Sequence, residues 1–244
     1  MSVFEERFAT YRQQHLGLIG KLIYREESEI LDLFPDSESA AEVVKDLEEL
    51  ASSSGLQRKL TKIALNQLRI QPNDKVSAIE VCGGSCWLLR SLLLKAENTG
   101  LRINAIGSDI SQRHIETNKE EFGNMNIKWA IADATDLPYP DVHFDLALNC
   151  QALHHFPVDM VIKLLTELKR VAKKVLIFDL RRTFYGPTFV RLLSPFYSKS
   201  FINDGIISHR RAYSIQEMRF IIELADLPYS VTPFTPVGML VESI

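Results

Sequence analysis

The spacing of hydrophobic residues changes at about residue 72 of the 244-residue chain. Up to that point, apolar residues recur every three or four positions, as they do on one face of a helix. The first such stripe consists of Phe4, Phe8, Tyr11, His15 and Leu16. Beyond that point, short apolar runs alternate with amphipathic stretches. We therefore predict an N-terminal helical extension over residues 1–72 and a second domain over residues 73–244.

The extension is predicted to be helical from residue 3 to about residue 70. DSESAAEVVKDLEEL at 36–50 begins with capping residues and continues with strong helix formers. SSSG at 52–55 interrupts the pattern, and LQRKLTKIALNQL at 56–68 resumes it. The sequence QPND at 71–74 predicts the turn that ends the extension.

Five apolar runs in the second domain predict buried strands. They are residues 75–81, 101–109, 126–133, 144–150 and 173–180. Because these strands alternate with helices over short links, they predict a mainly parallel sheet with helices on both faces. The remainder differs, since a helical insertion is predicted at about 185–213, with 204–213 irregular. Two short strands are predicted on either side of Thr235-Pro236.

Composition and charge exclude several classes of protein. The net charge of −3 and a pI near 6.1 give no electrostatic footprint for nucleic acid. No apolar run approaches the roughly 20 residues that span a bilayer, and the charged N-terminal sequence is unlike a signal peptide. We therefore expect a cytoplasmic protein without a nucleic-acid or membrane partner. Three cysteines do not make a fully paired disulfide framework, and no histidine cluster lies at zinc spacing around Cys82 and Cys86, so no metal site is predicted.

Polar residues stand at the carboxyl ends of the predicted strands. They are Glu80 to Cys86, Asp109, Asp133, and Asn149 to His155. Ligands of open parallel sheets bind at this edge, near the point where strand order reverses. Each residue also has a purely structural interpretation, as a turn, a helix cap or an Asx-turn. Their occurrence at successive strand ends favours a ligand site.

Each strand end offers a specific interaction to a nucleotide-like ligand. A glycine after the first strand lets the backbone approach closely, and the helix that begins near Ser85 presents free N–H groups. Asp109 suits the two hydroxyls of a ribose, and Asp133 suits the exocyclic amine of an adenine. Glu80 suits an ammonium group, directly or through water.

Four segments together resemble the class I S-adenosylmethionine-dependent methyltransferases. AIEVCGGSC resembles the acidic residue and glycine loop of that family, and AIGSDIS its ribose-binding acid. ADATDLPYPDVHFDLALNCQALHHF resembles its adenine-contacting aspartate, the following loop, the fourth strand and the Leu-His-His-Phe segment, while VLIFDLRR resembles its fifth strand. The resemblance runs from about Lys75 to Leu180. More loosely, the N-terminal helices and HRRAYS are similar to methyltransferase type 11-like bacterial enzymes that methylate small phenols or polyketides.

The resemblance implies a fold, a cofactor and a set of site residues. The fold is a Rossmann-like α/β sheet of seven mainly parallel strands with an antiparallel last strand and helices on both faces. The cofactor is S-adenosylmethionine, and the product is S-adenosylhomocysteine. The implied cofactor-binding residues are Glu80, Cys82, Gly83, Gly84, Asp109, Ile110, Asp133, Ala134, Asn149, Cys150 and Gln151. His154 and His155 are the expected catalytic residues, and the expected acceptor contacts are Tyr11, His154, His155, Arg210, Arg211 and Tyr213.

The glycine loop departs from the family pattern of three alternating glycines. Cys82 stands at the first glycine, Gly84 at the second and Cys86 at the third, while Gly83 occupies a variable position. A side chain at the third position is tolerable if it only packs helix against strand. At the first position it strains the turn unless Cys82 adopts a negative φ, and we expect weaker cofactor binding if it does not.

The predicted function is transfer of a methyl group by in-line displacement to a small-molecule hydroxyl, most simply a phenolic or polyketide one. An oxygen, nitrogen or carbon acceptor all remain open, as does a monomer or a homodimer. The histidines act as base or orienting group, or else only pack the loop, and the first helix either covers the site as a lid or packs permanently. Two other functions remain: a nicotinamide-dependent oxidoreductase, disfavoured because GxGxxG is absent, and a non-catalytic methyltransferase-like binding protein.

Overall fold

A computed structural model describes residues 2–17, 20, 23–25, 27–34, 37–68, 75–97 and 100–244. Within these residues the helices are α1 Val3–His15, α2 Ile30–Leu33, α3 Glu38–Ser53, α4 Leu56–Leu68, α5 Trp87–Glu97, α6 Gln112–Phe122, α7 Val158–Val171, α8 Gly186–Leu192, α9 Lys199–Arg211 and α10 Ile215–Leu224, with a 3₁₀ turn at Leu153–His155. The strands are β1 Lys75–Glu80, β2 Arg102–Asp109, β3 Ile127–Ile131, β4 Phe144–Cys150, β5 Ala172–Leu180, β6 Tyr229–Thr235 and β7 Gly238–Ser243.

The seven strands form one sheet in the order β3-β2-β1-β4-β5-β7-β6. The neighbours from β3 to β5 are parallel, and β7 runs antiparallel to both β5 and β6. The predicted mainly parallel sheet with an antiparallel last strand is therefore confirmed. Strand order reverses between β1 and β4, so the carboxyl ends of these strands flank the crevice in which sheets of this kind bind ligands.

Helices cover both faces of the sheet, as predicted. On one face, the apolar side of α7 packs on β4 and β5 together with α10 and the buried Phe8 of α1. On the other face, α4 and α5 pack on β1, β4 and β5. The central strands β4 and β5 are almost continuously buried because helices lie on both sides of them.

The aromatic stripe of α1 is packed rather than held over a site. Phe8 is buried in the core, and α1 lies against α7 and α10. Buried Glu217 on α10 accepts from Arg12 at 2.7 Å and also from Arg182, so an ion-pair network joins α1 to α10. The structure packs α1 against α7 and α10, and a role of this helix as a lid stays a prediction.

Two predictions of secondary structure are wrong. Between α1 and α3 the described chain is partly non-helical, and residues 27–29 lead into α2 by an extended Glu29 whose carboxylate lies in a polar cluster described below. Residues 204–211, predicted to be irregular, continue α9. Gly205 has low helix propensity, but it allows close packing, because a Cβ there would lie 3.0 Å from Val190 of α8. The predicted turn at 71–74 and the domain boundary beside it lie outside the described residues.

Among the described residues, no helix is long and apolar enough to cross a membrane.

Candidate active site

The loop between β1 and α5 keeps the backbone conformation of a glycine loop without having all the glycines. The φ angles are +48° at Cys82, +52° at Gly84 and +49° at Cys86. A residue with a Cβ pays roughly 1–2 kcal/mol for this left-handed conformation. Cys82 therefore does not adopt the negative φ that would leave the turn unstrained, and the backbone of the turn is strained at this residue.

Two glycines make room for the thiol of Cys86. A Cβ added to Gly83 would lie 2.3 Å from its Sγ, and one added to Gly107 of β2 would lie 3.0 Å from it. Burial raises the pKa of Cys86 well above the usual thiol value. Burial, followed by the charges of Asp109 and Asp133, does the same to the pKa of Cys82. Both cysteines are therefore neutral thiols that pack the loop rather than nucleophiles.

Gly84 presents an open face at the edge of the sheet. A Cβ on this residue would have no other atom within 4 Å. Its N–H donates to Oδ2 of Asp109 at 2.9 Å, and its carbonyl accepts from Asn118 at 2.6 Å. Two surface cavities flank the pair, one of about 930 Å³ beside Gly84 and one of about 780 Å³ beside Asp109 and the exposed Ile110. A ligand therefore has room to approach the Gly84 backbone.

The carboxylate of Asp109 is held ionised by its neighbours. Burial alone would raise its pKa, but His114 and the backbone amides of Ser111 and Gly84 lower it below the usual value. Oδ1 accepts from the N–H of Ser111 at 2.9 Å, so Asp109 also supports the start of α6, as the structural interpretation expected. Oδ1 also lies 3.4 Å from Nδ1 of His114, whereas Oδ2 accepts from Gly84 and has a second lone pair for a hydroxyl.

Three of the predicted cofactor residues lie behind the strand ends rather than at the surface. Glu80 is fully buried, and its Oε2 accepts from the N–H of Leu89 at 2.7 Å. Burial raises its pKa to about 8. The amide of Asn149 donates to Val81 at 2.9 Å, and Cys150 is buried beside it. Glu80 thereby joins β1 to α5, and Asn149 joins β4 to the residue after β1. A role of these residues in cofactor binding stays a prediction.

Asp133 and Gln151 lie closer to solvent than these three residues. Asp133 is exposed, and its Oδ1 accepts from both the N–H and the hydroxyl of Thr135 at 2.8 Å, the Asx-turn arrangement that was the structural alternative. Ala134 is buried under this turn. Gln151 has a φ of +56° and lines an internal cavity next to the histidine pair.

The two predicted catalytic histidines each contact an aspartate. Nδ1 of His154 lies 2.6 Å from Oδ1 of Asp179, at the end of β5, and the backbone N–H of His154 donates to Oδ2 at 3.0 Å. Nδ1 of His155 lies 2.7 Å from Oδ1 of Asp32. The other ring nitrogens both face Glu29, which is 2% exposed. We call Glu29, Asp32, His154, His155 and Asp179 the histidine–carboxylate cluster.

Three members of the histidine–carboxylate cluster, Glu29, His154 and His155, form a polar part of the wall of a cavity of about 290 Å³. Most of its other walls are apolar side chains from α3, α8, α9 and the end of β5. Among them are Leu47, Leu50, Phe178, Phe189 and Phe201. The volume is at the lower end of the range for small-molecule pockets, about 300–1,000 Å³. Such a cavity suits a small, largely apolar molecule with one polar group directed at the histidines.

The predicted acceptor contacts outside the histidine pair are wrong for this cavity. Tyr11 stacks on Phe220 with ring centroids 4.0 Å apart, on the outer side of α10. The hydroxyl of Tyr213 donates to the carbonyl of Phe156 at 2.7 Å in the core. Arg210 lies 3.9 Å from Glu27. None of these three side chains lines the cavity, because α1 and the end of α9 pack on other surfaces.

Arg211 contacts the histidine–carboxylate cluster without lining the cavity. Its guanidinium binds Asp32 and donates to the carbonyl of His155 at 2.8 Å. Of the residues that sequence reasoning missed, Asp179 had a usable signal, since it ends a buried parallel strand as Asp109 does. Glu29 and Asp32 had none, because they come from a segment that was predicted to be helical.

Three comparisons relate this chain to known proteins. Residues 78–175 match the model of a family described as a methyltransferase domain. A 2-phytyl-1,4-naphtoquinone methyltransferase from Synechococcus elongatus is 30% identical over 140 residues, which cover 55% of this chain and 58% of that protein. A ubiquinone/menaquinone biosynthesis C-methyltransferase from Rickettsia bellii is 29% identical over 110 residues, which cover 43% of this chain and 44% of that protein. The chain thus spans about half the length of these relatives.

The fold is also similar to a solved structure of the plantazolicin methyltransferase BpumL in complex with a monoazolic desmethylPZN analog and SAH. The TM-score is 0.64 and the identity 14%, over 99% of both chains. At this identity the likeness concerns the fold alone.

Proposed function

We propose that this chain, whose residues 78–175 match a methyltransferase domain, is a class I S-adenosylmethionine-dependent methyltransferase and that it methylates a hydroxyl oxygen of a small, largely apolar acceptor. The observation that carries this proposal is the pairing of His154 with Asp179 at the polar end of an apolar cavity. The cavity lies at the carboxyl ends of β4 and β5, next to the ends of β1 and β2 where Gly84 and Asp109 stand. Cofactor and acceptor thus have adjacent sites.

Three residues of the cofactor site have separate roles. The open face of Gly84 admits the cofactor, and the ionised Asp109 accepts its ribose hydroxyls. Asp133, exposed beyond the end of β3, accepts the adenine amine. The loop keeps the left-handed φ angles of a glycine loop even where cysteines replace glycines, and because Cys82 has a positive φ we expect weaker cofactor binding than a glycine there would give.

Methyl transfer is an in-line displacement, in which the acceptor oxygen forms a bond to the methyl carbon as the bond from sulfur breaks. S-adenosylhomocysteine leaves, and the hydroxyl proton must be removed. Alignment of the reacting atoms supplies up to roughly 7–11 kcal/mol of the barrier. Because each Nδ1 is bonded to an aspartate, Nε2 of His154 or His155 is free to receive the proton.

The acceptor class follows from the walls of the cavity. Apolar side chains surround the space, and the histidine–carboxylate cluster is at one end, so a phenol or a polyketide with a single reacting hydroxyl fits. The Rickettsia relative is named as a C-methyltransferase. A ring carbon next to a deprotonated hydroxyl is an alternative nucleophile at the same site, and carbon NMR of the product distinguishes the two.

Calorimetric titration with S-adenosylmethionine, S-adenosylhomocysteine and NADH tests the cofactor. We expect heat with the two sulfur compounds only, and an affinity reduced roughly 10- to 100-fold in Asp109→Ala, since charged hydrogen bonds contribute about 1.5–3 kcal/mol. Asp133→Ala should weaken binding in the same direction. Asp136→Ala, which removes another exposed aspartate from the same loop, is the control.

A panel of phenols and polyketides then tests the transfer. Turnover should fall in His154→Ala and His155→Ala while cofactor affinity is retained. Unchanged turnover in both variants would exclude histidine catalysis. No heat with either sulfur ligand would instead leave a methyltransferase-like binding protein.

A further inference from the structure

Three side chains of the histidine–carboxylate cluster converge on one point. Nε2 of His154 lies 3.7 Å from Oε1 of Glu29, and Nε2 of His155 lies 3.8 Å from Oε2. One ligand atom from each of the three residues lies within 4.8 Å of the other two. Glu29 is distant in sequence from the two consecutive histidines, and it meets them because α2 packs against α9, which also contacts the 3₁₀ turn.

The hydrogen bonds of the two imidazoles determine where their lone pairs point. A carboxylate oxygen only accepts, so the short contacts with Asp179 and Asp32 place a proton on each Nδ1. In the neutral imidazole, Nε2 then carries a lone pair. Both lone pairs face the carboxylate of Glu29. With both imidazoles neutral and Glu29 ionised, three electron-pair donors therefore meet at this point.

Carboxylates outnumber guanidinium groups around this point, which favours a bound cation. Glu29, Asp32 and Asp179 contribute three carboxylates, and Arg211 contributes one guanidinium, which lies 3.8 Å from Oε1 of Glu29. Glu29 is 2% exposed, and its Oε1 has no hydrogen-bond partner among the described residues.

We propose that Glu29, His154 and His155 bind a divalent transition-metal ion, with Asp179 and Asp32 as the outer-shell carboxylates that orient the two histidines. Two histidines and one carboxylate with an open position are the ligand set of catalytic zinc and non-haem iron(II) sites. With metal–ligand bonds of about 2.0–2.2 Å, tetrahedral ligand atoms lie about 3.4 Å apart. The separations of 3.7 and 3.8 Å involve different oxygens of Glu29, and one atom from each residue lies within 4.8 Å of the other two, so the side chains must close by up to about 1.4 Å to reach this geometry.

The open coordination position faces the acceptor cavity, which these same three residues line. This part of the inference rests on the proposed function. A hydroxyl bound to the ion has a lowered pKa, so its proton passes to water and the oxygen is a nucleophile near neutral pH. The oxygen then attacks the methyl carbon as the sulfur departs. In this mechanism His154 and His155 are metal ligands rather than bases, and a metal site replaces the prediction of none.

Metal binding is measured on the full chain without any acceptor. Protein stripped with a chelator is titrated with Zn²⁺ by calorimetry and with Co²⁺ by visible absorption, where a low-symmetry His₂Glu site gives intense d–d bands. We expect one ion per chain. The affinity should fall at least 100-fold in Glu29→Gln and in His155→Ala, and 10- to 100-fold in Asp32→Asn, which removes an outer-shell charge. His143→Ala, at an exposed histidine outside the cluster, should bind like the unmodified chain.

Circular dichroism of each variant confirms that it is folded, and Glu29→Gln keeps the shape of the side chain. The metal site is overturned if no ion binds in a stoichiometric amount. It is also overturned if Glu29→Gln and His155→Ala bind the ion as tightly as the unmodified chain does. Neither result bears on cofactor binding, which is measured separately with S-adenosylmethionine. If the ion binds and the cofactor does not, the metal site stands and the proposed methyl transfer fails.

Discussion

The imidazole of His154 rests against the carboxylate of Asp179, with Nδ1 2.6 Å from Oδ1, and both groups are buried. The next residue repeats the arrangement, since His155 contacts Asp32 at 2.7 Å. One aspartate ends a strand of the sheet and the other lies in a short helix of the N-terminal segment. Two independent elements thus fix the same tautomer in neighbouring imidazoles, which orients both Nε2 atoms toward Glu29.

We predict that both histidines are Nδ1-protonated when neutral in the metal-free protein. Nitrogen chemical shifts of the imidazole rings report the tautomer directly, with His154→Ala and His155→Ala spectra for assignment. Asp179→Asn should weaken the preference of His154 alone, and Asp32→Asn that of His155 alone, because the amide no longer supplies a charged acceptor. Nε2-protonated signals from both residues in the unmodified protein would contradict this assignment.

We predict that Gly83 and Cys86 are strongly coupled. Gly83→Ala places a Cβ 2.3 Å from the sulfur and should destabilise the protein by roughly 1–3 kcal/mol, as overpacking does. Cys86→Gly removes that sulfur, so Gly83→Ala should cost markedly less when Cys86→Gly is also present. Urea unfolding of the four proteins in this cycle gives the coupling energy. Additive effects would show that the loop relaxes and that the two residues do not share the space.

The sheet was predictable because its strands are short apolar runs with glycine or acidic residues at their carboxyl ends, a pattern set by local chemistry. The same pattern located Gly84, Asp109 and the histidine pair, since parallel strands bring such ends to one edge. The pattern did not predict the φ angle of Cys82. Side-chain propensity favours a negative value there, and only the geometry of the strand–helix turn enforces a positive one.

Predictions failed where a contact joins residues distant in sequence. Glu29 meets His154 across 125 positions, and nothing local in either segment indicates it. Tyr11 and Tyr213 were expected acceptor contacts on the strength of the family resemblance. A helix face that buries Phe8 places Tyr11 against the neighbouring helix instead, and the same core encloses Tyr213. Aromatic side chains serve packing and binding equally well, so residue type alone does not separate the two.

We predict that glycine is better tolerated than alanine at position 82. In an ordinary loop, alanine is the more stabilising of the two by about 0.4–1 kcal/mol. At a φ of +48° the order reverses, because the Cβ of alanine retains the strain and glycine has none. The free energy of unfolding of Cys82→Gly should therefore be about 1 kcal/mol higher than that of Cys82→Ala. The cofactor affinity of Cys82→Gly should be at least as high as that of Cys82→Ala. A more stable Cys82→Ala would show that the turn is not strained.

The pH dependence of stability should contain a contribution from Glu80. Burial raises the pKa of this carboxyl to about 8 in the folded chain, against 4.5 for the unperturbed group. The folded state therefore holds the proton more tightly than the unfolded state does. The stability from this difference is complete below about pH 4.5, decreases as pH rises, and is lost once pH passes about 8. Its total size is of the order of a few kcal/mol.

Glu80→Gln removes this contribution while it keeps an oxygen to accept from Leu89. Urea unfolding at intervals between pH 5 and pH 9 should show Glu80→Gln gaining stability relative to the unmodified protein as pH rises. Glu120→Gln, at an exposed position on α6, should give a curve parallel to that of the unmodified protein. If the Glu80→Gln curve is also parallel, Glu80 is ionised throughout and its buried carboxylate has a compensating partner.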